Sequence, residues 1–171
     1  MRTHLLVPCA SHSIDLLIED IGNIAWIVVV VVKKAHFIVS FVCQKQRALG
    51  ICRQNWDIEL AKPSSTCFSY IFIVFQNLVQ CHQGLRRMII DEKWLSWDGN
   101  HKEKGKRFEN ITYETIFWHN VKCIAGFMEP LVAALCLSDS EDCTMGSIYE
   151  FMSKVGIAFD TCTLFDDNMY V

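Results

Sequence analysis

The chain has 171 residues, 51% of them hydrophobic and 20% charged, with a formal net charge of -3. That length suits one domain of ordinary size, with apolar side chains enough for a sizeable core. The mildly acidic balance excludes a uniformly basic nucleic-acid-binding chain, so any DNA-binding surface has to be a local basic patch.

In chain order, Ser13 is the expected N-cap of a first helix, with Ile14, Leu17, Ile18 and Ile21 at i, i+3, i+4 and i+7 on one apolar face. Asp15 near its start suits the macrodipole, and Gly22-Asn23 is a natural stop. Ile27 to Val32 has the β-branched composition of a buried strand. Phe37, Ile38, Phe41 and Val42 continue it at helical spacing with no turn residue between. A long helix over about 25–47 is therefore favoured, because burial can override propensity, while strand or helix stays open for 27–32. Residues 53–66 read as irregular and end in Lys62-Pro63-Ser64-Ser65-Thr66.

Over 68–75 the composition indicates a strand and the spacing of Phe68, Phe72, Phe75 and Val79 a helix, so both stay open. The clearest solvated loop is 96–110, with Asp98-Gly99-Asn100 and the run from His101 to Arg107. Phe117, Val121, Ile124, Met128, Val132 and Leu135 form a helical stripe carried through Pro130, which predicts a kink. Residues 138–143 read as an acidic turn. Met145, Ile148, Tyr149, Met152, Val155 and Phe159 give a last amphipathic helix, with Glu141 and Asp142 at its positive end.

Nine cysteines, at 9, 43, 52, 67, 81, 123, 136, 143 and 162, include no CxxC pair. With no export segment at the N-terminus, this points to a reducing compartment with most cysteines acting as small buried hydrophobes. The most apolar stretch, Ile24 to Val32, is nine residues long against the ~20 a spanning helix needs. No membrane association is expected, and the nucleus or cytoplasm is the expected location.

Cys9 and His12 stand three apart, yet a structural zinc needs four ligands and no second pair stands at metal spacing. A hydrogen-bonded pair at the helix entry is the expected reading, with no metal and no cofactor. A Cys/His nucleophile pair drawn from Cys9 or Cys67 with His12 or His82 has no protease or transferase signature behind it. The carboxylates at Asp139, Glu141 and Asp142 and at Asp166-Asp167 sit in turn-like contexts, not on the rigid elements that two-metal chemistry requires. No glycine-rich phosphate loop is present. Lys102, Lys104, Lys106 and Arg107 are candidate phosphate contacts, diluted by Glu103 and Glu109.

The order of several motifs carries a resemblance. Residues 8–22, Pro8-Cys9-Ala10-Ser11-His12 and onward to Gly22, look like the Cys-x-x-His block of plant hAT transposase-like proteins, the group with a domain of unknown function ahead of the dimerisation region. Leu85-Arg86-Arg87-Met88, Glu92-Lys93-Trp94-Leu95, Phe117-Trp118, Glu129-Pro130-Leu131-Val132 and the run from Met145 to Met152 follow in the family's order. The resemblance covers roughly residues 8–158, assigning 1–158 as a partial hAT transposase-like region and 159–171 as a divergent tail.

The resemblance implies a mainly α fold: a helical insertion domain plus a partial edge of an RNase H-like α/β core. It also implies cut-and-paste DNA transposition by three metal-binding acidic residues, none of which maps onto this chain, so no catalytic residue is expected. Cys9, His12 and Phe68 match family motif positions. Where the family usually has an Arg before the aromatic residue, this chain has Cys67 before Phe68. The valine run stands in place of a charged amphipathic helix. The chain thus resembles a non-catalytic transposase remnant, at most a DNA- or protein-binding helical module. Its expected partners are DNA, a second copy, or a related full-length transposase-like protein. The alternative is a small helical interaction protein with no DNA role.

Overall fold

Every regular element among the described residues is helical, and the fold is mainly α. The computed structural model describes residues 10–22, 24, 27–61, 68–138 and 145–160. The helices are α1 (Ala10–Gly22), α2 (Lys33–Gln44), α3 (Gln46–Asn55), α4 (Phe68–Ile90), α5 (Glu92–Leu95), α6 (Glu103–Tyr113), α7 (Thr115–Ser138) and α8 (Met145–Asp160), with a π-helical segment at Ile27–Val32. The chain divides into two compact units: Ile24–Ala125, and Met1–Asn23 together with Gly126–Val171.

In the Ile24–Ala125 unit, α2 packs on α3 and α6, and α4 packs on α3, α5 and α6. The valine run joins α2 as a π-helical segment, within which Val31 is buried. The expected single helix over 25–47 is interrupted: Lys45 is extended (φ -109, ψ 105). The break lets α3 fold back on α2, burying Ala48, Ile51 and Cys52. Residues 53–55 complete α3, so the irregular segment expected from 53 begins at Trp56; residues 62–67 lie outside the described set. Asn77 holds this segment on α4, accepting from Ala61 N at 2.8 Å and donating to Glu59 O at 2.8 Å.

The residues 68–75 are helical and open α4. Buried Phe72, Phe75, Leu78, Cys81, Leu85 and Met88 extend one stripe at three- and four-residue steps well past the aromatic run, and this length decides against a strand. Gly84 lies on Trp56, where an added Cβ would stand 2.5 Å from the Trp56 Cβ. α5 is capped by Asp91, whose side chain accepts from Lys93 N at 2.8 Å.

The expected loop over 96–110 is a loop only to Lys102, because Glu103–Tyr113 is α6. Glu103, Lys104, Lys106 and Arg107 are exposed, while Gly105, Phe108, Ile111 and Thr112 are buried at helical spacing. A side chain at Gly105 would overlap the carbonyl oxygens of Gly99 and Asn100, so glycine lets α6 dock on the 98–100 turn. Phe108 joins an aromatic cluster: its ring centroid is 5.0 Å from Phe41 and 5.3 Å from Trp94, and Phe41 is 6.3 Å from Trp97. The Trp94 indole donates to Glu109 Oε1 at 2.6 Å. Lys34 clamps Glu114, between α6 and α7, through both carboxylate oxygens at 2.5 and 2.7 Å.

In the second unit, α1 buries Ile14, Ile18 and Ile21, the described end of α7 buries Phe127, Met128, Leu131 and Ala134, and α8 buries Val155. Because α1 already includes Ala10, Ser13 sits inside the helix and is not its N-cap. α7 runs unbroken through Pro130. It is also long and apolar enough by composition to cross a membrane, a measure that core helices also meet. Tyr149, Met152 and Ile157 on α8 are exposed, as are Leu16 and Leu17 on α1. The acidic turn expected at 138–143 lies, from 139, outside the described residues.

Candidate anion-binding cleft

The formal charge of -3 is unevenly spread. The Ile24–Ala125 unit holds fourteen Lys and Arg against eight Asp and Glu, a formal charge of +6, and the other unit holds two against eleven, a charge of -9. Among the described residues, two ion pairs use basic side chains of the positive unit, Lys34–Glu114 and Arg53–Glu59.

Lys102, Lys104, Lys106 and Arg107 are all exposed. The helix fans them apart where a loop would let them converge: at 100° per residue Lys104 and Arg107 share a side, and Lys106 points elsewhere. The Arg107 guanidinium lies over the Phe37 ring, 4.5 Å from its centroid. Lys102 and Lys104 line a groove of about 460 Å³ with Lys45, Phe41 and Trp97, but Asp98 and Glu103 line it too. The four basic residues are thus part of a mixed-charge surface.

A more uniform site lies between α4 and the start of α7. His82 and Arg86 project one turn apart from α4, and Thr115, Trp118, His119 and Lys122 recur at i, i+3, i+4 and i+7 on α7, with Tyr113 completing a cleft of about 220 Å³. None of these lining residues is acidic. The Trp118 indole donates to Thr112 O at 2.8 Å, fixing the first turn of α7 to the last turn of α6. The His82 and Trp118 rings stack with centroids 3.9 Å apart and planes 19° apart. Burial, with Arg86 and Lys122 nearby, pushes the His82 pKa down to about 4, so its imidazole is neutral at physiological pH. Arg86 and Lys122 are exposed and have no ion-pair partner among the described residues.

His12 is exposed on α1; Cys9 and Cys67 lie outside the described residues, and Phe68 begins α4 with its side chain undescribed. Of the family-motif positions, His12 alone has a described side chain. Cys81 is a poor nucleophile beside His82: its thiol is buried, near Ile58 O at 3.8 Å, and burial first, then Cys52, pushes its pKa up to about 11. A Cys/His proximity not expected from the sequence occurs at His119 and Cys123, with Nε2 and Sγ 3.5 Å apart. Among the described residues, no three His, Cys, Asp or Glu side chains gather as a metal site. No protein-family model matches the chain, and no curated protein or solved structure matches it.

Proposed function

We propose that this chain is a non-catalytic helical module that binds DNA through its positive unit, derived from the helical insertion of an hAT-type transposase with a partial edge of the RNase H-like core. The observation that carries the reading is the charge partition, +6 over Ile24–Ala125, together with a cleft whose lining residues include no carboxylate. A polyanion gains from such a surface by releasing condensed counterions. The collinear motifs from Cys9 to Met152 supply the transposase ancestry, and the family's catalytic acids map onto no residue here.

Fluorescence anisotropy of a labelled duplex at several salt concentrations tests it. Four or five phosphate contacts give a slope of log K against log[salt] of about -4. Absence of binding at low salt, or a binding constant insensitive to salt, removes the DNA reading.

A protein-interaction role without DNA is favoured by one observation, the exposed Tyr149, Met152 and Ile157 on α8. Sedimentation that stays monomeric across concentrations, with retention of α8 helicity, counts against self-association through that face.

A further inference from the structure

The geometry points to the α4–α7 cleft as a site for a phosphomonoester dianion, the terminal phosphate of a nucleic-acid strand. Size sets the first limit. About 220 Å³ is several times the ~30 Å³ share of one water but below the ~300–1,000 Å³ of clefts that enclose whole drug-sized ligands. The cleft has room for a tetrahedral anion with its first linked atoms.

Charge sets the second. Arg86 offers a planar donor fork and Lys122 a mobile ammonium, and neither is neutralised by a carboxylate among the described residues. His82, held neutral and parallel to Trp118, adds at most one N–H donor and no charge. The indole N–H of Trp118 is already given to Thr112 O, so that ring serves as a wall. Two cations match a terminal phosphate, which carries about -1.5 to -2 at neutral pH, better than an internal phosphodiester with one charge. A terminal phosphate also presents three unsubstituted oxygens to a concave site, where an internal one is flanked by chain on both sides.

The assignment of the phosphate to a strand end rests on the DNA-binding reading; the dianion site itself does not. The test uses the full chain and two short single-stranded oligonucleotides, identical except for a 5′-phosphate or a 5′-hydroxyl, with inorganic phosphate as a separate probe of thermal stability. The expected result is binding of the phosphorylated strand about tenfold tighter or more, the range of charge-assisted hydrogen bonds. Arg86→Gln and Lys122→Gln, both at exposed positions, should bring that ratio close to one while the unfolding temperature without ligand is unchanged.

Equal binding of both strands by the unaltered chain overturns the strand-end site and leaves DNA binding in place. If neither strand binds, yet inorganic phosphate raises the unfolding temperature of the unaltered chain and not of Arg86→Gln, the dianion site stands with free phosphate or a small phosphomonoester as its ligand, and the DNA reading fails. No response to either probe overturns the site.

Discussion

Replacing Phe108 by Ala separates the two descriptions of the lysine-rich segment. If 96–110 were a solvated loop throughout, Phe108 would be an exposed aromatic residue and its loss would change stability by no more than about 0.5 kcal/mol. In the structure Phe108 is 0% exposed and its ring meets both Phe41 and Trp94. Burying a phenyl ring and then deleting it costs about 3–5 kcal/mol, because the lost transfer free energy is joined by a residual cavity. Each of the two ring pairs contributes about 0.5–1.5 kcal/mol of that figure. For a unit the size of Ile24–Ala125, a loss of that order lowers the unfolding midpoint by roughly 12–25 °C. Urea unfolding followed by tryptophan fluorescence and by circular dichroism is the assay, since Trp94 reports on the same cluster. Phe108→Leu, which keeps most of the volume, should cost about 1–1.5 kcal/mol. A Phe108→Ala loss below about 1 kcal/mol would refute the packing of α6 on α2 and return the segment to a loop.

Removing the Glu114 carboxylate by Glu114→Gln leaves Lys34 without its bidentate partner in a half-buried setting and should cost about 1–2 kcal/mol, and the double variant with Lys34→Met should cost less than the sum of the two single ones; a double-mutant cycle with no coupling refutes the clamp. His82 gives a pH dependence with a definite sign. Its folded pKa, about 4, lies below the ordinary 6.5, so as pH falls from 6.5 towards 4 the unfolded chain takes up the proton first and stability declines over that window, then levels off. His82→Gln should flatten this decline in acid-titrated unfolding curves, and an unchanged profile would show that His82 is solvated. Burial, the largest cause, raises Cys52 and Cys81 to about 11, so alkylation at pH 8 followed by peptide mass mapping should label the exposed Cys136 while Cys52 and Cys81 react only on unfolding. The stability these two thiols contribute in their neutral form is full below pH 9 and is lost as pH rises from 9 to 11.

The helices were legible wherever an apolar stripe outlasted local composition. Ile14, Ile18 and Ile21 define α1, while 68–75 is open between strand and helix in the sequence, and the structure extends its buried stripe from Phe72 and Phe75 to Leu85 and Met88. α6 was hidden because Gly105 and five charged residues occupy its first two turns, and its buried residues, Phe108, Ile111 and Thr112, come late. The break at Lys45 has no glycine or proline to announce it; it is imposed by the packing of α3 on α2, a tertiary effect that no local window contains.

The same distinction governs the site. Each half of the cleft has a local signature, His82 with Arg86 one turn apart and Trp118, His119 and Lys122 on one side of the next long helix, yet these halves are 36 residues apart between His82 and Trp118 and meet at the ring stack. Lys102, Lys104, Lys106 and Arg107 draw notice because they are neighbours in sequence, but helical geometry disperses neighbours. Net charge behaves likewise. A total of -3 conceals a unit of +6, since the acidic residues are concentrated in Met1–Asn23 and Gly126–Val171. A folded unit with such an excess bears the cost of self-repulsion, and among the described residues two ion pairs offset its cations. Any anion that binds it gains from relieving that repulsion wherever it docks. On the proposed reading, affinity for polyanions is spread over the whole unit, while discrimination between one phosphate and another has to come from the cleft and its two cations.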